Sequence, residues 1–315
     1  LTISRRDKLY LAGFLFGAGL LLFLGRDLLQ SSIVVTYGLT FGGTTVGAVL
    51  LAALYRLRME LRASQNELAR KQAELSFALE VQRALFPRTL PDSGGLEFTA
   101  VCIPARGISG DYYDVMELPD GRLVFAIADI SGKGISAAIL MANLQAVMRT
   151  LAQTGKSPKE VCSSLNRHLH QVTDAAKFAT FFYAEWDIAE RTLTYINAGH
   201  HLPIIKGACN GGRLDKGGLP LGIVPNYDYD VGEVTLTPGD VMVLYSDGIT
   251  EAENENEEEF GEARLSAVIE AYCKESLSEI QRQILLAVRN WAGNEPSDDM
   301  TLLIVRAERP QMEEK

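Results

Sequence analysis

Cysteine is scarce in this 315-residue chain. The four present, Cys102, Cys162, Cys209 and Cys273, lie far apart, with no pair at the short spacing of a zinc site. That excludes a disulfide framework and a zinc ribbon, and it fits reduced thiols in a cytosolic domain. Positive charge is also in short supply: 30 Lys and Arg stand against 40 Asp and Glu, for a formal net charge of -10. A chain so acidic lacks the basic face that neutralises phosphates, so nucleic-acid binding is not expected. The phosphate-loop pattern G-x-x-x-x-G-K-[ST] is absent, and Gly132-Lys133-Gly134 therefore reads as a tight turn into a helix. No repeat at solenoid periods is present.

Uncharged apolar runs, in contrast, are plentiful at the N-terminal end. Residues 9–25 and 33–55 carry no charge, and the second run is long enough to cross a bilayer core. A short polar link joins them, so residues 1–55 are expected to form a hairpin of two transmembrane helices. Arg5, Arg6 and Lys8 precede the first run, Arg56, Arg58 and Arg62 follow the second, and the link holds only Arg26. That asymmetry predicts both ends in the cytoplasm and a multi-pass location in the inner (cytoplasmic) membrane. A cleaved leader is disfavoured, because no small-residue cleavage site follows Gly25 and a second apolar run does.

Residues 56–90 follow without a break. From Arg56 to Phe86 there is neither Gly nor Pro, and Ala, Leu, Glu, Gln and Arg dominate, which predicts a helix. Leu57, Leu61, Leu68, Leu75, Ala78 and Leu85 recur at alternating steps of four and three. The same seam includes the polar residues Ser64, Lys71 and Gln82. This reads as a weak coiled coil joining a homodimer, with a single amphipathic helix lying on the next domain as the alternative. Pro87, Pro91 and the turn Asp92-Ser93-Gly94-Gly95 end it.

From residue 91 to 308 the pattern changes, with residues 309–315 as a tail. Short apolar or alternating runs predict strands at 96–103, 112–118, 123–130, 180–186, 193–197, 202–206, 241–245 and 301–305. Helices are expected at 134–150, 157–173, 262–272 and 277–291. Groups of strands interrupted by paired helices predict a layered α+β domain. Acidic residues sit at the ends of these strands: Asp111 and Asp114 in SGDYYD, Asp129 in FAIADISGKG, Asp247 in VMVLYSDGITEA, and Asp298 and Asp299 in PSDDMTLLIV. A carboxylate at a buried strand end loses water, and convergence on Mg²⁺ or Mn²⁺ offsets that cost with oxygen ligands.

The ordered set SGDYYD, ADISGKG, NAGHHLP, GLPLGI, LYSDGITEA and SDDMTLL resembles the SpoIIE/RsbU-like branch of the metal-dependent PPM protein phosphatases, and the lead-in ALEVQRALFP is similar to the helix that precedes the domain in that branch. The resemblance runs from about residue 78 to 305. It implies an α-β-β-α sandwich, two antiparallel sheets flanked by helices, with two divalent ions, Mn²⁺ or Mg²⁺, at one edge. Carried over, Asp129 bridges both ions, the Ile130 carbonyl adds an oxygen, and Asp111, Asp247 and Asp298 complete the metal-binding catalytic set. Asp298 is preferred to Asp299 because Met300 and Thr301 follow it in the family's D-x-M-S/T pattern. Asp114 is expected to be structural. The implied reaction is attack of an activated water on the phosphorus of phosphoserine or phosphothreonine. Ser131 stands where the eukaryotic branch has an acid His. Arg106, five residues before Asp111, matches the offset of a phosphate-binding Arg. His200 and His201 are further candidates, against the simpler reading of a strand-end His satisfied by its surroundings. The implied partner is a phosphorylated STAS-type anti-sigma-factor antagonist. The competing reading is an inactive membrane scaffold that binds such partners, which the intact Asp set disfavours. A nucleotide cyclase suggested by SGDYYD has no use for the motifs downstream.

Overall fold

The computed structural model describes residues 5–26, 33–91, 94–105, 107–173, 177–207, 213–293 and 296–308. The chain divides into two compact units, Leu1–Ala73 and Glu74–Lys315.

The first unit is built from α1 (Arg5–Arg26) and most of α2 (Ile33–Arg83). The second apolar run and the charged stretch after it are one helix, because nothing near residue 55 breaks backbone hydrogen bonding. The apolar side chains face outward: Phe16 and Phe41 are both 74% exposed. The polar hydroxyls on the same stretch are satisfied within the helix, since Thr44 and Thr45 donate to the carbonyls of Thr40 and Phe41 at 3.0 and 2.9 Å. A threonine bonded in this way leaves no bare hydroxyl on the outward face. Gly47 lets α1 and α2 meet, because a Cβ there would come within 3.2 Å of the Phe14 ring. Among the described residues, two helical stretches are long and apolar enough to cross a membrane, Tyr37–Arg83 and Ile135–Ala152. The second is a core helix of the other unit.

That unit holds two sheets. One has the order β1 (Leu96–Ile103), β10 (Met300–Ala307), β9 (Val241–Tyr245), β6 (Ile204–Lys206). The other runs β2 (Tyr112–Glu117), β3 (Leu123–Ile130), β4 (Ala179–Asp187), β5 (Thr192–Ala198), β7 (Gly217–Gly218), with β8 (Gly232–Thr235) also paired to β5. Among the named strands the pairing is antiparallel apart from the two-residue β5–β7 contact, which is parallel.

Period-2 alternation explains the layers. On β3, Leu123, Phe125 and Ile127 point into a core shared with Phe98, Leu303 and Val305 of the opposite sheet. Val124, Ala126 and Ala128 point the other way, onto α3 (Ile135–Ala152) and α4 (Pro158–Val172). On the far side, Val243, Leu302 and Ile304 pack against α6 (Gly261–Tyr272) and α7 (Leu277–Ala292). The layers are therefore α-β-β-α around three apolar cores, and each fully buried Leu, Ile or Phe contributes about 1.5–3 kcal/mol. Helix α4 starts on a reciprocal capping box between Ser157 and Glu160, with Pro158 in its first turn.

The short elements β7, β8 and α5 (Asp247–Thr250) lie outside the sequence-based expectation. Their lengths, two to four residues, are too short for periodicity to register.

Candidate active site

The sheets bring the acidic motifs together through their pairing. Strand β2 begins beside the end of β3, with Tyr112 opposite Ala128, so Asp111 and Asp129 emerge at the same edge. In the other sheet β10 begins beside the end of β9, with Leu302 opposite Tyr245, so Asp298 and Asp247 emerge together.

Local chemistry fixes each turn. Ser246 links two of them: its N–H donates to the Thr301 carbonyl at 3.0 Å, its hydroxyl donates to the Asp299 carbonyl at 3.1 Å, and it accepts from the Thr301 N–H at 2.9 Å. Gly248 is required next, because a Cβ there would collide with the Asp299 carbonyl. After β3, Gly132 and Gly134 take φ values of 97° and 77°, a region other residues avoid, and reverse the chain into α3. Gly110 lies against the Ile130 carbonyl, where a Cβ would come within 3.1 Å.

Asp111 is 1% exposed, and its Oδ2 has no hydrogen-bond partner. Burial, followed by the charge of Asp129, holds its carboxyl well above the usual range. Asp129 faces Asp111 at hydrogen-bond range; burial, then Asp247 and Asp298, push it up to about 7. Two carboxyls so close oppose each other's ionisation in a dry site. Asp247 is raised by burial and by Asp298. The four predicted residues thus form one electrostatic cluster. As the side chains stand, however, no three acidic, His or Cys groups among the described residues converge tightly enough to cage an ion. One cause is visible: Asp298 Oδ2 is turned onto Lys133 Nζ at 2.6 Å.

Asp299 does different work. Its Oδ1 accepts from the Ala105 N–H at 2.8 Å and its Oδ2 from the Gly110 N–H at 2.9 Å, pinning the loop before Asp111. Asp114 is fully buried, receives a two-pronged grip from Arg149 at 2.6 Å and is bonded by the Tyr112 hydroxyl. It anchors α3 to β2.

Ser131 is occupied structurally: its hydroxyl accepts from the Phe178 N–H at 2.9 Å. His200 is buried, with Nδ1 2.8 Å from the Thr180 hydroxyl, and burial lowers its pKa to about 3, so it stays neutral. His201 is half-buried, its ring centroid 5.5 Å from that of Tyr245. Arg106 and Cys209 lie outside the described residues.

Two residues gain roles that sequence reasoning does not assign. The sequence places Lys133 only in a turn, yet it supplies the cation at the rim. The heptad seam includes Gln82, but the structure corrects that expectation. Gln82 is 4% exposed, with its amide bonded to the backbone of Ser109. Leu85, placed in the same seam, packs against the core between α3 and β2. The seam as drawn therefore cannot extend through these two positions. Only the helix breaker Pro87, a few residues past the end of α2 at Arg83, hints at docking.

Comparison with known proteins gives a consistent picture. Residues 119–308 match the family profile described as Stage II sporulation protein E (SpoIIE). The phosphoserine phosphatase RsbU of Bacillus subtilis (strain 168) is 34% identical over 255 residues, covering 80% of this chain and 74% of that protein. Protein IcfG of Synechocystis sp. is 29% identical over 74% of this chain but only 41% of its own length. The SiaA-PP2C domain of Pseudomonas aeruginosa shares the fold, with a TM-score of 0.65 over 76% of this chain and 98% of that domain at 21% identity.

Proposed function

This chain belongs to the SpoIIE family of PP2C-like protein serine/threonine phosphatases, and on that premise we propose that it removes phosphate from serine or threonine of a partner protein at the edge where Asp111, Asp129, Asp247 and Asp298 meet. The observation that carries this reading is the cluster itself: four carboxylates from both sheets, three of them held above their ordinary pKa by burial and by one another. Folding such a cluster is costly unless cations offset it. The donor set suits them. Every proposed ligand is oxygen, which selects hard divalent ions, and one buried Asp111 oxygen, Oδ2, has no hydrogen-bond partner.

In this assignment Asp129, the Ile130 carbonyl, Asp111, Asp247 and Asp298 would hold two divalent ions, Mn²⁺ or Mg²⁺. When bound, such ions supply a water of lowered pKa and offset charge on the phosphoryl oxygens. The chain's own groups then orient the substrate. Lys133, half-exposed beside Asp298, presents an ammonium to an incoming phosphate once its carboxylate partner turns inward. Ser131, whose hydroxyl is a poor acid at neutral pH, and His200, neutral and buried, are not suited to donate a proton to the leaving serine oxygen.

RsbU is a phosphoserine phosphatase, which supports a phosphoprotein substrate here; we assign this chain a STAS-domain antagonist of an anti-sigma factor as that partner. The outward apolar faces of α1 and α2 support anchoring in the cytoplasmic membrane with the phosphatase unit in the cytoplasm. Leu57, Leu61 and Leu68, each more than half exposed, support a homodimer through the membrane-proximal part of the linker. The test is phosphate release from a phosphoseryl STAS protein. It should require Mn²⁺ or Mg²⁺ and stop with EDTA; equal release in EDTA would refute the reading.

A further inference from the structure

We propose that Gln82 is a positioning residue for the first carboxylate of the site: its side-chain amide sets the backbone of Ser109 and Gly110, and thereby where Asp111 stands. The proposal rests on the reading of Asp111 as a metal ligand.

Gln82 lies in the last turn of α2, 27 residues from the loop it holds. Its Nε2 donates to the Ser109 carbonyl at 2.6 Å, and its Oε1 accepts from the Ser109 N–H at 2.9 Å. Ser109 offers one donor and one acceptor, so only one orientation of the amide satisfies both. The side chain thus pairs with Ser109 as a neighbouring strand would. Ser109 is fully buried, so neither backbone group has water as an alternative. The Ser109 hydroxyl in turn accepts from the Asp111 N–H at 2.9 Å.

From the other side, Asp299 holds Ala105 and Gly110. The loop before Asp111 is therefore clamped between β10 and the end of α2. Asp111 takes its backbone position from this loop, through its own N–H bond to the Ser109 hydroxyl. A residue that holds the backbone of a ligand in this way acts as an outer-shell partner does, and loss of such partners typically lowers metal affinity or activity about 10–100-fold.

The amide is separable from the seat of the helix. Phe86 packs on Tyr113 at a ring-centroid distance of 4.9 Å, and Gln145 donates to the Leu85 carbonyl at 3.1 Å. These contacts keep the end of α2 docked when Gln82 changes. Gln82→Met keeps length and helix propensity but removes both hydrogen bonds. Gln82→Glu keeps the acceptor and loses the donor.

The experiment uses the full chain in detergent micelles and reads Mn²⁺ binding from the electron paramagnetic resonance of free Mn²⁺, with thermal unfolding in EDTA alongside. Gln82→Met is expected to weaken Mn²⁺ binding about 10–100-fold, Gln82→Glu less, and Phe86→Leu not at all, although it loosens the seat. Should Gln82→Met fail to fold, Gln82→Asn, one methylene too short, must show the same weakening. Wild-type affinity in the folded Gln82 variant overturns the proposal, and so does equal weakening by Phe86→Leu. If wild type binds no Mn²⁺, or Asp129→Asn binds it equally well, the assignment of the site fails instead.

Discussion

Replacing Asp129 by Asn should inactivate the enzyme and, in the absence of metal, make it more stable. The carboxyl of Asp129 is raised from 3.8 to about 7, first by burial and then by Asp247 and Asp298. A carboxyl raised in the folded state contributes stability below pH 4 and loses it as pH rises through 7. At pH 8 the ionised group therefore weighs against folding. Three pKa units at about 1.36 kcal/mol each give about 4 kcal/mol, and coupling to Asp111 relieves part of that, leaving about 2–4 kcal/mol. Asn carries no charge, fills the same space and donates to Asp111. For a unit of this size about 2–4 °C accompanies each kcal/mol, so Asp129→Asn should melt roughly 5–15 °C above wild type at pH 8 in EDTA. The gap should narrow on acidification and vanish near pH 4. With Mn²⁺ at about 100 times its dissociation constant, wild type should gain about 2.7 kcal/mol while the variant gains nothing. Differential scanning fluorimetry across pH, with and without Mn²⁺, reads all of this. A variant that melts below wild type in EDTA at pH 8 would refute the claim that the carboxylates repel one another.

Arg149→Met should leave the fully buried Asp114 without its partner and cost about 3–5 kcal/mol of stability, measured by urea unfolding, with Mn²⁺ affinity unchanged. Gly248→Ala should push the turn carrying Asp247 away from Asp299 and lower turnover about 100-fold, because small misplacements at a reacting centre are expensive; turnover near wild type would show that the turn has room to spare. A reporter fused after Lys315 should be active in the cytoplasm only, and periplasmic activity would invalidate the proposed topology.

The parts of this molecule that are legible in its sequence are those where one physical rule dominates. Strand β3 is eight consecutive residues that are apolar up to Asp129, and its bounds emerge from composition alone. Helix α4 announces itself with Ser157, Pro158 and Glu160. The acidic residues stand out because each lies at the end of an apolar run. Side-chain partnership is not legible. Asp298 and Asp299 are adjacent and chemically identical, yet one pairs with Lys133 and the other grips the loop at Ala105 and Gly110. Only the pairing of β10 with β1 and β9 decides which side each faces. Gln82 misleads for a related reason. Its heptad position is real along the helix, but the tertiary contact with Ser109 outweighs that periodicity.

Whether these carboxylates form a two-ion site for phosphate hydrolysis is tested most directly by counting Mn²⁺ bound per chain by calorimetry while following phosphate release from a phosphoseryl protein in the same preparation. About two ions per chain are expected, with release that rises with their occupancy and with both lost in Asp129→Asn. Phosphate release that persists in Asp129→Asn, or in wild type stripped of divalent ions, would contradict the two-ion assignment.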